Sequence, residues 1–219
     1  DKPGELWVRA QPAVTVRRAG QAGQKGLKDR KEESGEALRL GNGDVVIRGR
    51  ARLLVAGLPD DPSVAVYDQG AAALTSYQGL SYYPIDARYM AAAELRRYPK
   101  PRPVMVESSR GGPQEQRAIG TLHFTLEGKP QSLEAFVESD NEQMLFLVFR
   151  DRSCGAGSYG AGRFLSTPIL PNDQVILDFN QAWNPLCAYS KFFHCPMPPK
   201  QNHLDIAIPA GERAYPGSH

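Results

Sequence analysis

GTLHFTLEGKPQSLEAFVESDNEQMLFLVF, residues 120–149, decides the fold. In Gly120 to Leu126 the apolar Leu122, Phe124 and Leu126 alternate with Thr121, His123 and Thr125. Side chains of an extended chain point to opposite faces in turn, so this is the pattern of a half-buried strand. Glu127-Gly128 supplies a turn, and Ser132 to Glu138 alternates again through Leu133, Ala135 and Val137. Met144 to Phe149 is apolar on both faces, which predicts a central strand.

Outward from this core the strand signals are many and short. Leu6-Trp7-Val8 and Val14-Thr15-Val16 open the chain. Asp44 to Ile47 and Arg50 to Ala56 form a hairpin pattern around Gly49, and Ser63 to Tyr67, Val175 to Phe179 and Leu204 to Ile208 add further strands. Short strands set off by turns predict a mainly β fold, an antiparallel sandwich or partly open barrel with long irregular C-terminal loops. The 21 Gly and 18 Pro agree, since regular helix tolerates neither. Two stretches read otherwise. Propensity alone writes a helix over Ala87 to Arg97, and Ala72 to Tyr77 could make a helical turn. Arg17 to Glu36, interrupted by Gly20, Gly23 and Gly26, reads as a mobile loop. Pro99 to Pro103 reads as a stiff linker inside a single domain spanning residues 1–219.

Composition narrows the function classes. The 219 residues can bury a real core, and the 41% hydrophobic and 23% charged fractions are those of ordinary globular chains. With 26 basic against 24 acidic residues, the net charge of +2 gives no electrostatic case for nucleic acid. No apolar run reaches the ~18 residues that would predict a membrane span. The chain begins at Asp1 without Met, which leans towards a processed, exported or periplasmic protein; a cut chain would look the same.

Two blocks carry polar residues in patterns that could serve chemistry. In Phe149 to Leu165, FRDRSCGAGSYGAGRFL, a strand end leads into a Gly-rich loop and back to a strand. Such glycines let backbone N–H groups approach a phosphate. No Lys-Ser/Thr and no helix follow them, however, and Arg150, Asp151 and Arg163 equally suit structural ion pairs. The second block is Asp178 to Pro199, DFNQAWNPLCAYSKFFHCPMPP. Asp178, Asn180 and Asn184 follow a buried strand, and the prolines impose a rigid path. These residues either line a preorganised pocket or pin a long loop through buried hydrogen bonds.

Cys187, His194 and Cys195 offer soft ligands, yet seven residues between the cysteines suit neither close metal-binding pair, so no metal or cofactor is predicted. A local disulfide and two buried free thiols stay open, and Cys154 completes an odd count. No HExxH, GxSxG or P-loop occurs. Asp151, Asp178, Glu134 and Glu212 are the available acids and bases.

Taken together, FRD…YGAGRFL (149–165), LDFN.AWNP.CAYS (177–190), CP.PP..N.L (195–204) and I.AGE (208–212) resemble the uncharacterised bacterial family called domain of unknown function 1684. Upstream, Tyr77-Gln78-Gly79, Tyr83-Pro84 and Asp86 are similar to its F-x-G…F-P-x-D segment. The resemblance runs from about Leu6 to Arg213. It places motif positions at Glu134, Arg150, Asp151, Gly160, Arg163, Asp178, Asn180, Asn184, Pro185, Cys187 and Cys195. Pro196, Pro198, Pro199, Asn202 and Glu212 follow. It also implies a strand, not a helix, after Asp86. Leu74-Thr75-Ser76 departs from the family, whose members tend to carry an Arg there, and Ser153-Cys154 replaces its usual Thr-Ser.

The resemblance brings no reaction with it. The leading expectation is a non-catalytic ligand-binding or assembly module with a polar motif pocket, serving an unknown small molecule or protein partner. One rival is a hydrolase-like enzyme, with Asp178 or Glu134 as base and Arg163 holding a small anionic substrate. The other is an accessory subunit of a larger envelope or membrane complex.

Overall fold

The computed structural model describes residues 6–9, 14–17, 29–32, 37–57, 63–138 and 141–218. The chain divides into two compact units, residues 1–77 and 78–219. The first holds β1 (Leu6–Arg9), β2 (Val14–Arg17), β3 (Asp29–Glu32), β4 (Ala37–Leu40), β5 (Val45–Arg48), β6 (Ala51–Ala56) and β7 (Ser63–Asp68). β1 pairs with β4, and the others form a five-stranded antiparallel sheet in the order β3-β2-β5-β6-β7. The predicted hairpin closes with Arg48 opposite Ala51, and Gly49 takes the left-handed φ of +56° that the turn needs. α1 (Ala72–Thr75) is the expected helical turn. Within the stretch read as a loop, Asp29–Glu32 is a strand paired to β2; residues 18–28 and 33–36 lie outside the described ones.

The second unit is a single antiparallel sheet of β8 (Met90–Val106), β9 (Gln114–Leu126), β10 (Lys129–Glu138), β11 (Asn141–Phe149), β12 (Arg163–Pro168) and β13 (Gln174–Asp178). Its order is β12-β11-β10-β9-β8-β13. The end strands curl towards each other. Ile169 bridges Val175, and Thr167 Oγ1 donates to Ile176 O at 2.8 Å, so the sheet is a barrel closed except for one thin seam. Of the two architectures expected, the partly open barrel is the one formed.

The alternation read from sequence fills the barrel. Leu122, Phe124, Leu126, Leu133, Ala135, Val137, Leu145, Leu147 and Phe149 share one core with Ala91, Ala93, Leu95, Val175 and Leu177. Phe149 and Phe179 meet edge to face at 5.3 Å. The opposite face of β11 is apolar as well, because Phe146 and Val148 pack with Phe164, Cys195 and Trp183 outside the barrel.

Three expectations need correction. Ala87 to Arg97 is no helix: a single 3₁₀ turn, Ala87–Tyr89, leads into β8. Ala91, Ala93 and Leu95 are buried with a period of two, and β8 is held on both sides by Phe124 and Val175 opposite Ala93. Pairing on two edges overrides alanine's helix propensity. Nor is Pro99 to Pro103 a linker, since β8 runs through it. The register slips between Arg97 and Arg102, and beyond Glu94 β13 no longer pairs with β8, leaving a free edge that tolerates proline. Finally, Leu204 to Ile208 is buried in alternation but joins no ladder. Its hydrogen bonds go to a loop, from Leu204 N to Arg150 O and from Arg152 N to Ile206 O, each 2.8 Å.

Candidate functional site

After β13 the described residues form no further strand, and the chain runs through 3₁₀ turns at Phe179–Gln181, Leu186–Ala188 and Lys200–Asn202. The polar residues singled out from sequence hold this path, and they do so in separate groups. Arg163 begins β12, is wholly buried, and lies over the Phe149 ring. Its guanidinium donates to Asp151 Oδ2 at 2.7 Å, to Ile208 O at 2.8 Å and to Ala210 O. Asp151 Oδ1 accepts from Ser153 N at 2.7 Å and Ile208 N at 3.0 Å. The pair is therefore a clamp binding the Gly-rich loop to the 204–210 segment, with neither charge open to solvent. Arg150 donates to Gly160 O and braces the same loop. Gly162, at φ +118°, lies so close to Phe149 O and Pro198 that an added Cβ would come within 2.8 Å of both.

Asn202 makes the second tie. Its side chain accepts from Glu134 N at 2.7 Å and donates to Glu134 O at 3.0 Å and Val148 O at 2.9 Å, joining the C-terminal path to β10 and β11. The buried Glu134 carboxylate is answered by Arg102 at 2.8 Å, Tyr98 OH at 3.1 Å and Gln201. A third tie is Glu212, buried and without a cation among the described residues. It accepts from Asn184 N at 3.0 Å, Asn184 Nδ2 at 3.1 Å and Tyr189 OH. Asn184 Nδ2 also donates to Arg213 O at 2.7 Å, while its buried Oδ1 receives no donor.

Asp178 caps the turn that follows it, accepting from Asn180 N at 3.1 Å, Asn180 Nδ2 at 2.9 Å and Gln181 Nε2 at 2.9 Å. Partial burial pushes its carboxyl up, but donation from Gln181 and Asn180 outweighs this and holds it below the ordinary carboxylate range. Asn180 in turn pins Asp86 through both its N–H and its C=O, at 2.9 and 3.0 Å. Cys187 and Cys195 are both free thiols, and Cys195 Sγ accepts the Cys187 N–H at 3.3 Å.

These groups do not converge in one cleft. A cavity of about 250 Å³ lies along the barrel seam, lined by Met90, Ser166, Thr167, Ile176, Asp178 and Gln181 among others. Of the candidate site residues singled out from sequence, Asp178 alone lines it. Sequence reasoning missed Ser166, Thr167 and Gln181, because their relevance comes from which two strands fail to pair. It missed Arg102 because it sits in the segment read as a linker, and Tyr98 because it falls between that segment and the one read as helix. Among the described residues no three His, Cys, Asp or Glu side chains gather to hold a metal, and no helix is long and apolar enough to cross a membrane.

Fold and motif together define, over residues 78–219, a small, nearly closed antiparallel β-barrel unit whose signature residues tie its C-terminal path to the strands. The chain belongs to the family described as Protein of unknown function (DUF1684), which matches residues 75–213. It is similar to an uncharacterized protein of Haloarcula marismortui solved by solution NMR. The two are 38% identical over 64% of this chain and 78% of that one, with a TM-score of 0.54. No curated protein matches the chain.

Proposed function

We propose that the barrel unit is a non-catalytic binding module that holds a small, mainly apolar ligand along its seam, with the ligand's cationic or hydrogen-bond-donating end at Asp178. The seam cavity carries this reading. Ligand sites are concave and mostly apolar with a few placed polar groups, and Met90, Leu165, Leu170 and Ile176 supply the apolar wall while Asp178 and Gln181 supply polar groups. The one charged lining group is a carboxylate kept ionised by its amide donors. An anionic ligand would be repelled there. The hydrolase reading fares worse, since it needs Arg163 open to an anion, and that guanidinium is sealed against Asp151 and two carbonyls.

The test is a titration of the full chain with hexylammonium and with hexanoate, followed by backbone amide NMR. Hexylammonium is expected to shift the amides of Ser166, Thr167, Ile176 and Gln181, and hexanoate to bind about tenfold more weakly or not at all. Filling the groove with Ser166→Trp should abolish the response. Shifts scattered away from the seam, or an unchanged response in the filled variant, would overturn the proposal.

A further inference from the structure

The thiol cluster outside the barrel stands apart from the seam and rests on its own observations. Cys187 lies on the 3₁₀ turn Leu186–Ala188 and is partly exposed, whereas Cys195, just before Pro196, is buried. Turn and segment meet so that the Cys187 N–H donates to Cys195 Sγ at 3.3 Å. Two hydroxyls complete the surroundings of Cys187. Tyr159 OH is 3.8 Å from its sulfur, and the Ser109 hydroxyl is the second, donating to Phe193 O at 3.3 Å. Ser109 in addition fixes the Cys195 backbone, its Oγ accepting Cys195 N at 3.0 Å and its N–H donating to Cys195 O at 2.8 Å. Between the cysteines, residues 191–194 are exposed, so this span can adjust without disturbing the core.

We propose that Cys187 and Cys195 are a redox-active dithiol that exchanges with disulfides, Cys187 attacking and Cys195 resolving. The Cys187 thiolate attacks one sulfur of a disulfide RS–SR, forming a Cys187–SR bond and expelling RS⁻, which takes up a proton. Cys195 then loses its proton to solvent and attacks the Cys187 sulfur. A Cys187–Cys195 bond forms, and the second RS⁻ leaves and is protonated. Two electrons pass to the incoming disulfide, which departs as two thiols.

The surroundings set the order of attack. The Cys195 side chain beside it, opposed by burial and helped by Ser109 and Tyr159, brings the Cys187 thiol down to about 6, while the same closeness pushes Cys195 up. Cys187 is therefore the more readily ionised of the two thiols. Cys154 is the internal control: its thiol donates to Asp151 Oδ2 at 3.6 Å, and burial and the Asp151 charge raise it.

The experiment equilibrates the reduced full chain with glutathione disulfide, traps free thiols by alkylation and maps the products by mass spectrometry. The expected product is a Cys187–Cys195 bridge with Cys154 still alkylated. Cys195→Ser should accumulate a glutathione adduct at Cys187, and Cys187→Ser should leave Cys195 reduced. In the wild-type protein Cys187 should react with iodoacetamide about tenfold faster than Cys154 at pH 7. Failure of the wild-type chain to form the bridge would overturn the proposal. So would an adduct or bridge at Cys154 forming as fast as that at Cys187.

Discussion

Arg163 shows what a buried charge does in this protein. Its guanidinium and the Asp151 carboxylate are both sealed from water, so each is tolerated only because the other and the nearby backbone answer it. Arg163→Met would leave the carboxylate without its cation and take a donor from the Ala210 carbonyl, costing about 3–5 kcal/mol. Asp151→Asn is expected to destabilise the wild-type protein yet to stabilise the Arg163→Met variant, because Asn keeps the acceptor for Ser153 and Ile208 without a bare charge. Urea midpoints of the four proteins measure this change of sign; equal effects in both backgrounds would mean that the clamp is not coupled. Asp178 makes a separate prediction. Its folded pKa is depressed, so its contribution is present above the unfolded value of about 3.9 and is lost as pH falls through the lower, folded one. The wild-type midpoint should therefore drop below about pH 4 more steeply than that of Asp178→Asn.

At the scale of elements, the strands that could be read from sequence are those whose inward faces are large and apolar. Leu122, Phe124 and Leu126 on β9, and Leu133 and Val137 on β10, announce a period of two. β8 hides the same period behind Ala91 and Ala93, small residues whose propensity points to helix, and only pairing with β9 and β13 settles the matter. The Leu204 to Ile208 segment misleads in the opposite direction, since alternate burial normally accompanies a ladder and here its partner is the Arg150–Arg152 loop. Site residues were legible as types and not as groups. Nothing in the spacing of Asn202 says that its side chain reaches two strands far away in sequence. That reach gives a prediction. Asn202→Ala would leave Glu134 N, Glu134 O and Val148 O without their partner inside the fold, at a cost of about 2–4 kcal/mol. Amide exchange at Glu134 should accelerate with the fall in stability, while exchange in β5 and β6 stays as it was.

At the scale of the molecule, the barrel supplies its own interior. Every residue of its main core, from Tyr89 to Ala210, falls within residues 78–219, and so do the Arg163, Asn202 and Glu212 ties. The C-terminal path packs Leu204, Ile206, Ile208 and Ala210 into that core. Gly211 makes the close approach it requires: at φ +75°, a Cβ there would sit 2.5 Å from Ala182 O and 2.7 Å from Phe179 O. A unit with a complete core and a buried Arg163 paired to Asp151 has what independent folding needs. Residues 78–219 expressed alone are therefore expected to unfold in one cooperative transition and to keep the near-ultraviolet signal of fixed aromatic packing at Phe149 and Phe179. Loss of the last turn should behave differently. A version ending at Pro209 lacks Ala210, which accepts from Arg163, and Glu212, which answers Asn184, so it should lose that cooperativity. If the shortened version melted as sharply and as late as the longer one, the C-terminal path would be decoration on a barrel that closes without it.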